Sequence, residues 1–400
     1  MEKTNWKDFM KILQVINGFY PPYVSGGAGF VAHDISEALV KRGHKVTVFT
    51  TNALSRDRLF KPRQTSNFQN GVKVCYFHNQ VFKPPYIFYS RDLMAAIKEN
   101  ISSYDLVHVH EYRSLTGLSA GHYATKEGVP YILQVHGQLS RTRPSQGPKL
   151  VYDLLFGYRL LKGAARVIAL SQREAQQFFT MGVCKEKIEI IPNGLELENY
   201  AELPSKGFFK KKLGIHCESK LVLFLGRIHE TKGIDFLIRA FAYMIEVKKY
   251  RDVFLVIAGP DDGYLKKLKQ ISTDLKINSS ILFTGRLSEE EKLTAYADSD
   301  LVVNVEPINV FGLVPLEAAA CSRPVIVSTG NSISDFVREG RFGFSVKYGD
   351  TRELAEVMFK MLSDEDFARE LGQNGQQYLR ENLTWDKIVT KIEKVYNEIA

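Results

Sequence analysis

Little in this sequence points to covalent or metal staples. Its 400 residues include four cysteines, Cys75, Cys184, Cys217 and Cys321, and no two form a CxxC pair. That scatter excludes a disulfide framework and a cysteine-built metal centre, and it reads the four as small buried hydrophobes. No histidine, aspartate or glutamate cluster with metal-ligand spacing is visible either. Long apolar runs are also missing. A spanning helix requires roughly 18 uninterrupted apolar residues, and the most apolar region, 301–328, is broken by Glu306, Asn309, Glu317 and Arg323. Residues 1–10 carry Glu2, Lys3, Lys7 and Asp8 with no apolar stretch behind them, which is not a secretory signal. The expectation is a cytoplasmic protein. No recognised nucleic-acid motif occurs, so nucleic acid is not expected as a partner.

What is present is an ordinary globular composition, 44% hydrophobic and 24% charged. The net charge of +8 is uneven. Residues 1–200 hold 25 Lys and Arg against 16 Asp and Glu, whereas the remainder holds 28 against 29. A basic half attracts anionic lipid, nucleic acid or a phosphorylated substrate, or is simply a solvated surface.

Short apolar runs alternate with amphipathic segments along the chain. Strands are expected at Lys11–Asn17, Lys45–Thr50, Val72–His78, Asp105–His110, Tyr131–His136, Arg166–Ser171 and Lys187–Ile191. A weakly periodic stretch, 195–219, reads as a linker with a short helix. A second series follows at Leu221–Gly226, Phe254–Gly259, Ile281–Gly285, Leu301–Val305, Pro324–Thr329 and Phe342–Lys347. Strands alternating with helices imply parallel sheets covered on both faces. The fold class is therefore α/β, with two Rossmann-like doubly wound domains, 1–200 and 201–380, and a terminal helical segment, 381–400. In such sheets ligands bind outside the carboxyl ends of the strands, so the loops after the strands carry the candidates.

Four loops stand out. Gly18–Gly29 leaves the first strand and enters a helix. Gly26 and Gly27 let a phosphate approach the backbone, and the helix start supplies amide donors. Its spacing is not GxGxxG, which disfavours a dinucleotide cofactor. Gly226–Gly233 (GRIHETKG) carries Arg227 and Lys232, two cations suited to a diphosphate, or merely a solvated basic loop. Val305–Glu317 runs from strand to helix, with Pro315 in the first helical turn. Glu317 lies in apolar surroundings and needs a partner: sugar hydroxyls, neighbouring backbone or a basic side chain. Finally, His136 ends a strand beside Gly137, a position open to a catalytic or a structural histidine. His108 and His110 alternate with Val107 and Val109 as strand residues.

Together these motifs resemble the GT-B glycosyltransferases, specifically the large retaining family 4. The matching residues are Gly26-Gly27, His136-Gly137, Ile191-Pro-Asn-Gly194, Gly226–Gly233 and Asn309–Glu317 followed by Ala318–Val325. They span nearly the whole chain in the family's order. The resemblance implies two domains facing across a cleft and a tail helix packed back on the N-terminal domain. It implies transfer of a sugar, with retention, from a nucleotide-diphosphate sugar such as a UDP-sugar, and no metal or other cofactor. The acceptor would be a glycan or lipid-linked hydroxyl in polysaccharide, cell-surface glycan or glycolipid synthesis. The basic N-terminal half would allow peripheral contact with an anionic inner membrane face.

By position, Gly26 and Gly27 would meet donor phosphates or sugar, Arg227 and Lys232 the diphosphate, and Glu317 the ribose hydroxyls. Asn309, Phe311, Gly312 and Leu313 would surround the donor, and His136 would touch the transferred sugar. The sequence departs from the family at Asn309, where the pattern has Glu, and at Ser322, where it has Gly. Glu306, three residues before Asn309, is either a displaced carboxylate or an ordinary strand-end residue. The acceptor side would involve the aromatic and basic segments 83–91 and 141–149. The alternatives on the same fold are a nucleotide-sugar epimerase, a phosphorylase and a catalytically weakened nucleotide-binding relative.

Overall fold

The computed structural model describes residues 9–19, 26–53, 59, 66–80, 89–139, 146–307 and 311–400. The chain divides into two compact units, Met1–Gly194 with Trp385–Ala400, and Leu195–Thr384.

The first unit is built from β1 (Lys11–Val15), α1 (Gly26–Lys41), β2 (Lys45–Thr51), β3 (Ser66–Gln69), β4 (Val72–Phe77), α2 (Arg91–Asn100), β5 (Leu106–Val109), α3 (Leu115–Glu127) and β6 (Tyr131–Gln134). It continues through α4 (Gln146–Tyr152), a π-helical turn (Asp153–Gly157), α5 (Tyr158–Gly163), β7 (Arg166–Ala169), α6 (Gln172–Thr180) and β8 (Ile188–Ile190). The sheet order is β3-β4-β2-β1-β5-β6-β7-β8, parallel except for β3. Every expected strand of this unit is present, one or two residues shorter at most ends. Strand β3 is the addition. It is an exposed, polar edge strand joined to β4 by Asn70-Gly71, whose φ angles of 48° and 85° mark a hairpin turn. An Asn-Gly pair is a hairpin signal, but β3 lacks the apolar alternation of a half-buried strand.

The second unit contains α7 (Phe208–Lys212), β9 (Lys220–Leu225), α8 (Ile234–Val247), β10 (Val253–Ala258), α9 (Leu265–Asp274), β11 (Ile281–Gly285), α10 (Glu289–Asp298), β12 (Leu301–Asn304), α11 (Leu313–Ala320), β13 (Val325–Ser328), α12 (Ser334–Glu339), β14 (Gly343–Val346), α13 (Thr351–Ser363) and α14 (Glu365–Asn382). Its parallel sheet runs β11-β10-β9-β12-β13-β14. Strands β9, β10, β12 and β13 are almost wholly buried, as parallel strands covered on both faces require.

The boundaries differ from the sequence-based ones at 200 and 380. Residues 195–219 are part of the second unit rather than a linker. Leu195 and Tyr200 are buried there, Leu195 N–H donates to Leu383 O at 2.8 Å, and the Asp298 carboxylate accepts from Gly207 N–H and Lys210 N–H at 2.5 and 2.8 Å. The four cysteines also divide: Cys321 is buried and Cys75 half-buried, but Cys184 and Cys217 are exposed in loops, against expectation. Neither lies in an element whose buried face could take it up.

The terminal helix α15 (Trp385–Ile399) belongs to the first unit. Trp385, Ile388, Val389, Ile392, Val395 and Tyr396 form its buried face. Arg42 donates to Asp386 and Glu393 at 2.5 Å each, and His44 Nε2 lies 3.0 Å from Glu393. The helix starts against Gly194, where a Cβ would meet the Trp385 ring at 2.7 Å. Gly194→Ala is therefore expected to lower the thermal unfolding midpoint, at a cost of about 1–3 kcal/mol from overpacking.

Candidate functional site

In both sheets the strand order reverses beside the first strand of its unit, between β1 and β5 and between β9 and β12. Crevices at such switch points are where open α/β sheets hold ligands. The candidate residues gather at these two places, each within its own unit.

In the second unit, glycine lets three loops pack closely. Gly226 follows β9 with φ 153°, and Gly259 follows β10 with φ 152°. A Cβ on Gly259 would lie 1.7 Å from Gly226 O. The loops are laced by Ile228 N–H to Pro260 O and Asp262 N–H to Ile228 O, at 2.9 and 3.0 Å. This brings Arg227 to Asp262, Nη1 to Oδ2 2.5 Å, with both side chains largely exposed. The His229 ring caps the short helical turn 230–232, accepting from Thr231 N–H at 3.2 Å. Gly233 then turns with φ 67°, its missing Cβ leaving room for Val305 O, which that atom would meet at 2.5 Å. That approach places Lys232 Nζ 2.6 Å from Glu306 Oε1, a carboxylate only 7% exposed. Glu306 is thus an ion-pair partner of Lys232, a pairing absent from the sequence reading.

On the far side of the switch point, Gly312 caps α11, Leu313 opens it, and Phe311 stands edge-on to Phe336 with ring centroids 5.8 Å apart. The first-turn amides of α11 have no acidic side chain among them, leaving donors for an anion. Asn309 lies outside the described residues. Glu317 is buried one turn into α11. Tyr296 donates to its Oε2 at 2.6 Å, and Lys292 Nζ lies 3.3 Å from Oε1. Burial and then the Glu317 charge push the Tyr296 phenol well above its usual pKa. The partner of Glu317 within this unit is therefore a phenol with a basic side chain, and Oε1 retains accepting capacity.

In the first unit, α1 begins at Gly26, and a Cβ on Gly27 would meet nothing within 4 Å. Space is open where a phosphate or sugar would approach. His136 is one of six described non-glycine residues at positive φ, at 47°, followed by Gly137 at 83°. Such backbone costs of order 1–3 kcal/mol and persists only where surroundings enforce it. Here the enforcer is Glu174 in α6, which accepts from Gly137 N–H at 2.6 Å and from Leu170 N–H at 2.7 Å. Burial raises the Glu174 carboxyl to about 7. The Ser171-x-x-Glu174 spacing marks the start of α6 in the sequence; that its acid reaches the histidine turn is not local information.

His136 ends a stack of imidazoles. Ring centroids of His108 and His110 are 4.1 Å apart, and those of His110 and His136 are 5.4 Å apart. Gln14 Oε1 can only accept, so His110 Nε2, 2.9 Å away, carries a hydrogen. In a neutral ring His110 Nδ1 must then accept, and His136 Nε2 at 3.1 Å donates to it. The lone pair of His136 is thereby fixed on Nδ1. At the other end the Tyr396 hydroxyl of α15 lies 2.7 Å from His108 Nδ1. Desolvation holds His108 and His136 down at about 3, with the His136 charge a further factor for His108. His110 is lowered by burial and by both neighbouring imidazoles. Sequence reading singled out His136 but missed Gln14, Glu174 and the role of His110. Segments 81–88 and 140–145, which hold most of the two expected acceptor-side stretches, lie outside the described residues.

An unfolded chain protonates these imidazoles near 6.5, whereas the fold keeps His108 and His136 neutral to about 3. Falling pH across that window therefore favours the unfolded state, by about 1.4 kcal/mol per pH unit per histidine. Glu174 and Glu111, each raised to about 7 from 4.5 by burial, act oppositely between those two values. Urea unfolding of His136→Asn between pH 6 and pH 4 is expected to show a shallower loss of stability on acidification, by about one proton per molecule.

Comparison with known proteins agrees with this architecture. Residues 205–378 match the family described as "Glycosyl transferases group 1" and residues 25–199 match "Glycosyltransferase Family 4". The N-acetyl-alpha-D-glucosaminyl L-malate synthase of Bacillus anthracis is 26% identical over 388 residues, covering 94% of both chains. The D-inositol 3-phosphate glycosyltransferase of Thermomonospora curvata is 26% identical over 399 residues, covering 93% of this chain and 90% of its own. Among solved structures, Anabaena HepE in complex with UDP and glucose superposes with a TM-score of 0.74 at 22% identity, covering 96% of this chain and 98% of its own. With both units matched and the two-domain α/β fold shared, the chain belongs to the family 4 (group 1) glycosyltransferases of the GT-B fold and is a glycosyltransferase.

Proposed function

We propose that the protein is a retaining glycosyltransferase that takes its sugar from a nucleoside-diphosphate sugar and passes it to a hydroxyl acceptor in glycan or glycolipid synthesis. The observation that carries this reading is the convergence of Arg227, Lys232 and the first-turn amides of α11 on one sheet switch point. Two cations and a helix start form a receptor for a diphosphate. The UDP and glucose held by the Anabaena structure support UDP-glucose as the first donor to test.

In this reading Arg227 and Lys232 take up the charge that grows on the diphosphate as its bond to the sugar C1 breaks. Glu317 accepts a ribose hydroxyl through Oε1. Gly26 and Gly27 leave backbone room for the donor. His136, neutral at physiological pH, offers its Nδ1 lone pair to a hydroxyl of the transferred sugar. Asn309 contacts the sugar as a neutral hydrogen-bonding group. The acceptor oxygen attacks C1 on the face the diphosphate leaves, and the departing phosphate oxygen takes the acceptor's proton. None of these roles calls on a metal.

Both cations are already paired in this structure, Arg227 at the surface and Lys232 with a buried carboxylate. Surface pairs contribute little, so Arg227 is released cheaply, whereas Lys232 must exchange Glu306 for phosphate. Calorimetric titration with UDP is expected to show Kd rising about tenfold or more for Arg227→Ala and Lys232→Ala. Unchanged affinity in both would refute the site. Glu306→Gln, which leaves Lys232 uncompensated, is expected to lower the Kd for UDP severalfold.

A further inference from the structure

A cavity of about 680 Å3 opens in the second unit beside Lys220, Asp300 and Pro324. These residues open or precede β9, β12 and β13, at the amino ends of the sheet. Gly226 and Glu306 follow the carboxyl ends of β9 and β12, so the cavity lies at the opposite end of the sheet from the candidate diphosphate loops. Its volume suits a small metabolite. The cations Lys206, Lys210, Lys220, Arg323 and Arg369 line it, together with Glu218, Asp298, Asp300 and Glu365.

Most of these acids are engaged by other groups. Asp298 takes the Gly207 and Lys210 amides. Asp300 accepts from Leu221 N–H at 2.8 Å and lies 3.5 Å from Lys220 Nζ and 3.8 Å from Lys210 Nζ. Glu365 pairs with Lys220. Two of the cations, in contrast, form no ion pair among the described residues. Lys206 is exposed. Arg323 donates through Nε to Cys321 O at 3.0 Å and through Nη1 to Ser299 O at 3.2 Å, and Nη2 is left over. Burial pulls the Arg323 guanidinium below its usual pKa, and the charges around it do not make up the loss. The turn that presents it is fixed: Ser322 stands at φ 54°, and Gly372 packs against Ser322 O, where a Cβ would lie 2.1 Å away.

We propose that this cavity is an effector site for a small phosphate ester, with Arg323, Lys206 and Arg369 meeting the phosphate. A guanidinium with unused donors matches phosphate oxygens in geometry and charge. Arg369 is paired with Asp366 at the surface, and such a pair is given up at little cost. The effector role follows from what Arg323 ties together. Ser299 caps the end of α10 and Cys321 caps the end of α11. Tyr296 and Lys292 of α10 hold Glu317 of α11. A ligand that draws on Arg323 therefore acts on the two helices that set Glu317. That coupling rests on the nucleotide reading of Glu317, whereas binding of the ester does not.

The test is calorimetric titration of the full chain with glucose 6-phosphate and, separately, with inorganic phosphate, at fixed ionic strength and with UDP in excess to fill the diphosphate loops. The ester is expected to bind with a Kd of about 1 mM or lower, and inorganic phosphate more weakly. The double variant Lys206→Glu, Arg369→Glu should weaken the ester at least about tenfold. Both side chains are exposed, so its thermal midpoint should match the parent. Arg323→Gln should weaken the ester as well, and the double variant keeps the test open if loss of Arg323 unfolds the chain. Saturating ester should change the Kd for UDP by about fivefold or more. A chain that ignores the ester at about 10 mM, or a double variant that binds it like the parent, overturns the site. Equal affinity for the two probes assigns the cavity to free phosphate and overturns the ester. Binding that leaves the UDP Kd unchanged overturns the effector role. If UDP itself does not bind, the nucleotide reading falls, and the double variant still decides whether the ester sits in this cavity.

Discussion

The second unit depends on the close approach of the loops after β9 and β12, made possible by a missing side chain at Gly233. With no Cβ there, Val305 O can sit against the turn, and Lys232 is carried onto Glu306. A buried ion pair of this kind is weak evidence for stability, because desolvation offsets its Coulombic gain. Its significance is electrostatic preparation. The cation expected to grip a diphosphate is held in place by an internal anion, which a phosphate oxygen would replace. The same packing logic sets Gly226 against Gly259 and places Arg227 beside Asp262.

The first unit solves a different problem, that of presenting an imidazole in one tautomer. Gln14 dictates the hydrogen of His110, His110 dictates that of His136, and Glu174 imposes the left-handed turn on which His136 stands. Helix α15, contributed from the far end of the chain, closes the stack with Tyr396 against His108. Burial keeps the rings uncharged, so the Nδ1 of His136 is left as an acceptor.

Much of this was legible in the residues. Strands and helices declare themselves through periodicity; His136-Gly137 and Gly226–Gly233 follow strands as expected, and Gly26-Gly27 and Leu313–Glu317 open the helices α1 and α11. Strand β3 was not visible, because Ser66–Gln69 is an exposed polar edge whose only signal is the Asn70-Gly71 turn. The segment 195–219 reads as a linker because its helix is short and basic, yet its cap is Asp298, 91 residues beyond Gly207. Residue type and scatter read Cys184 and Cys217 as buried, but their loops leave them exposed.

By itself, the sequence determined the order of elements, the two-unit α/β class and which loops carry cations, glycines and the histidine, because periodicity and turn chemistry are written within about ten residues. Tertiary structure alone decided which charges meet. Lys232 and Glu306 are 74 residues apart and pair because β9 lies beside β12 in the sheet. His110 and His136 stack because β5 lies beside β6, and Glu174 reaches Gly137 across 37 residues. Such pairings depend on sheet order and on the distance between backbones, and neither quantity is carried by any local stretch of residues.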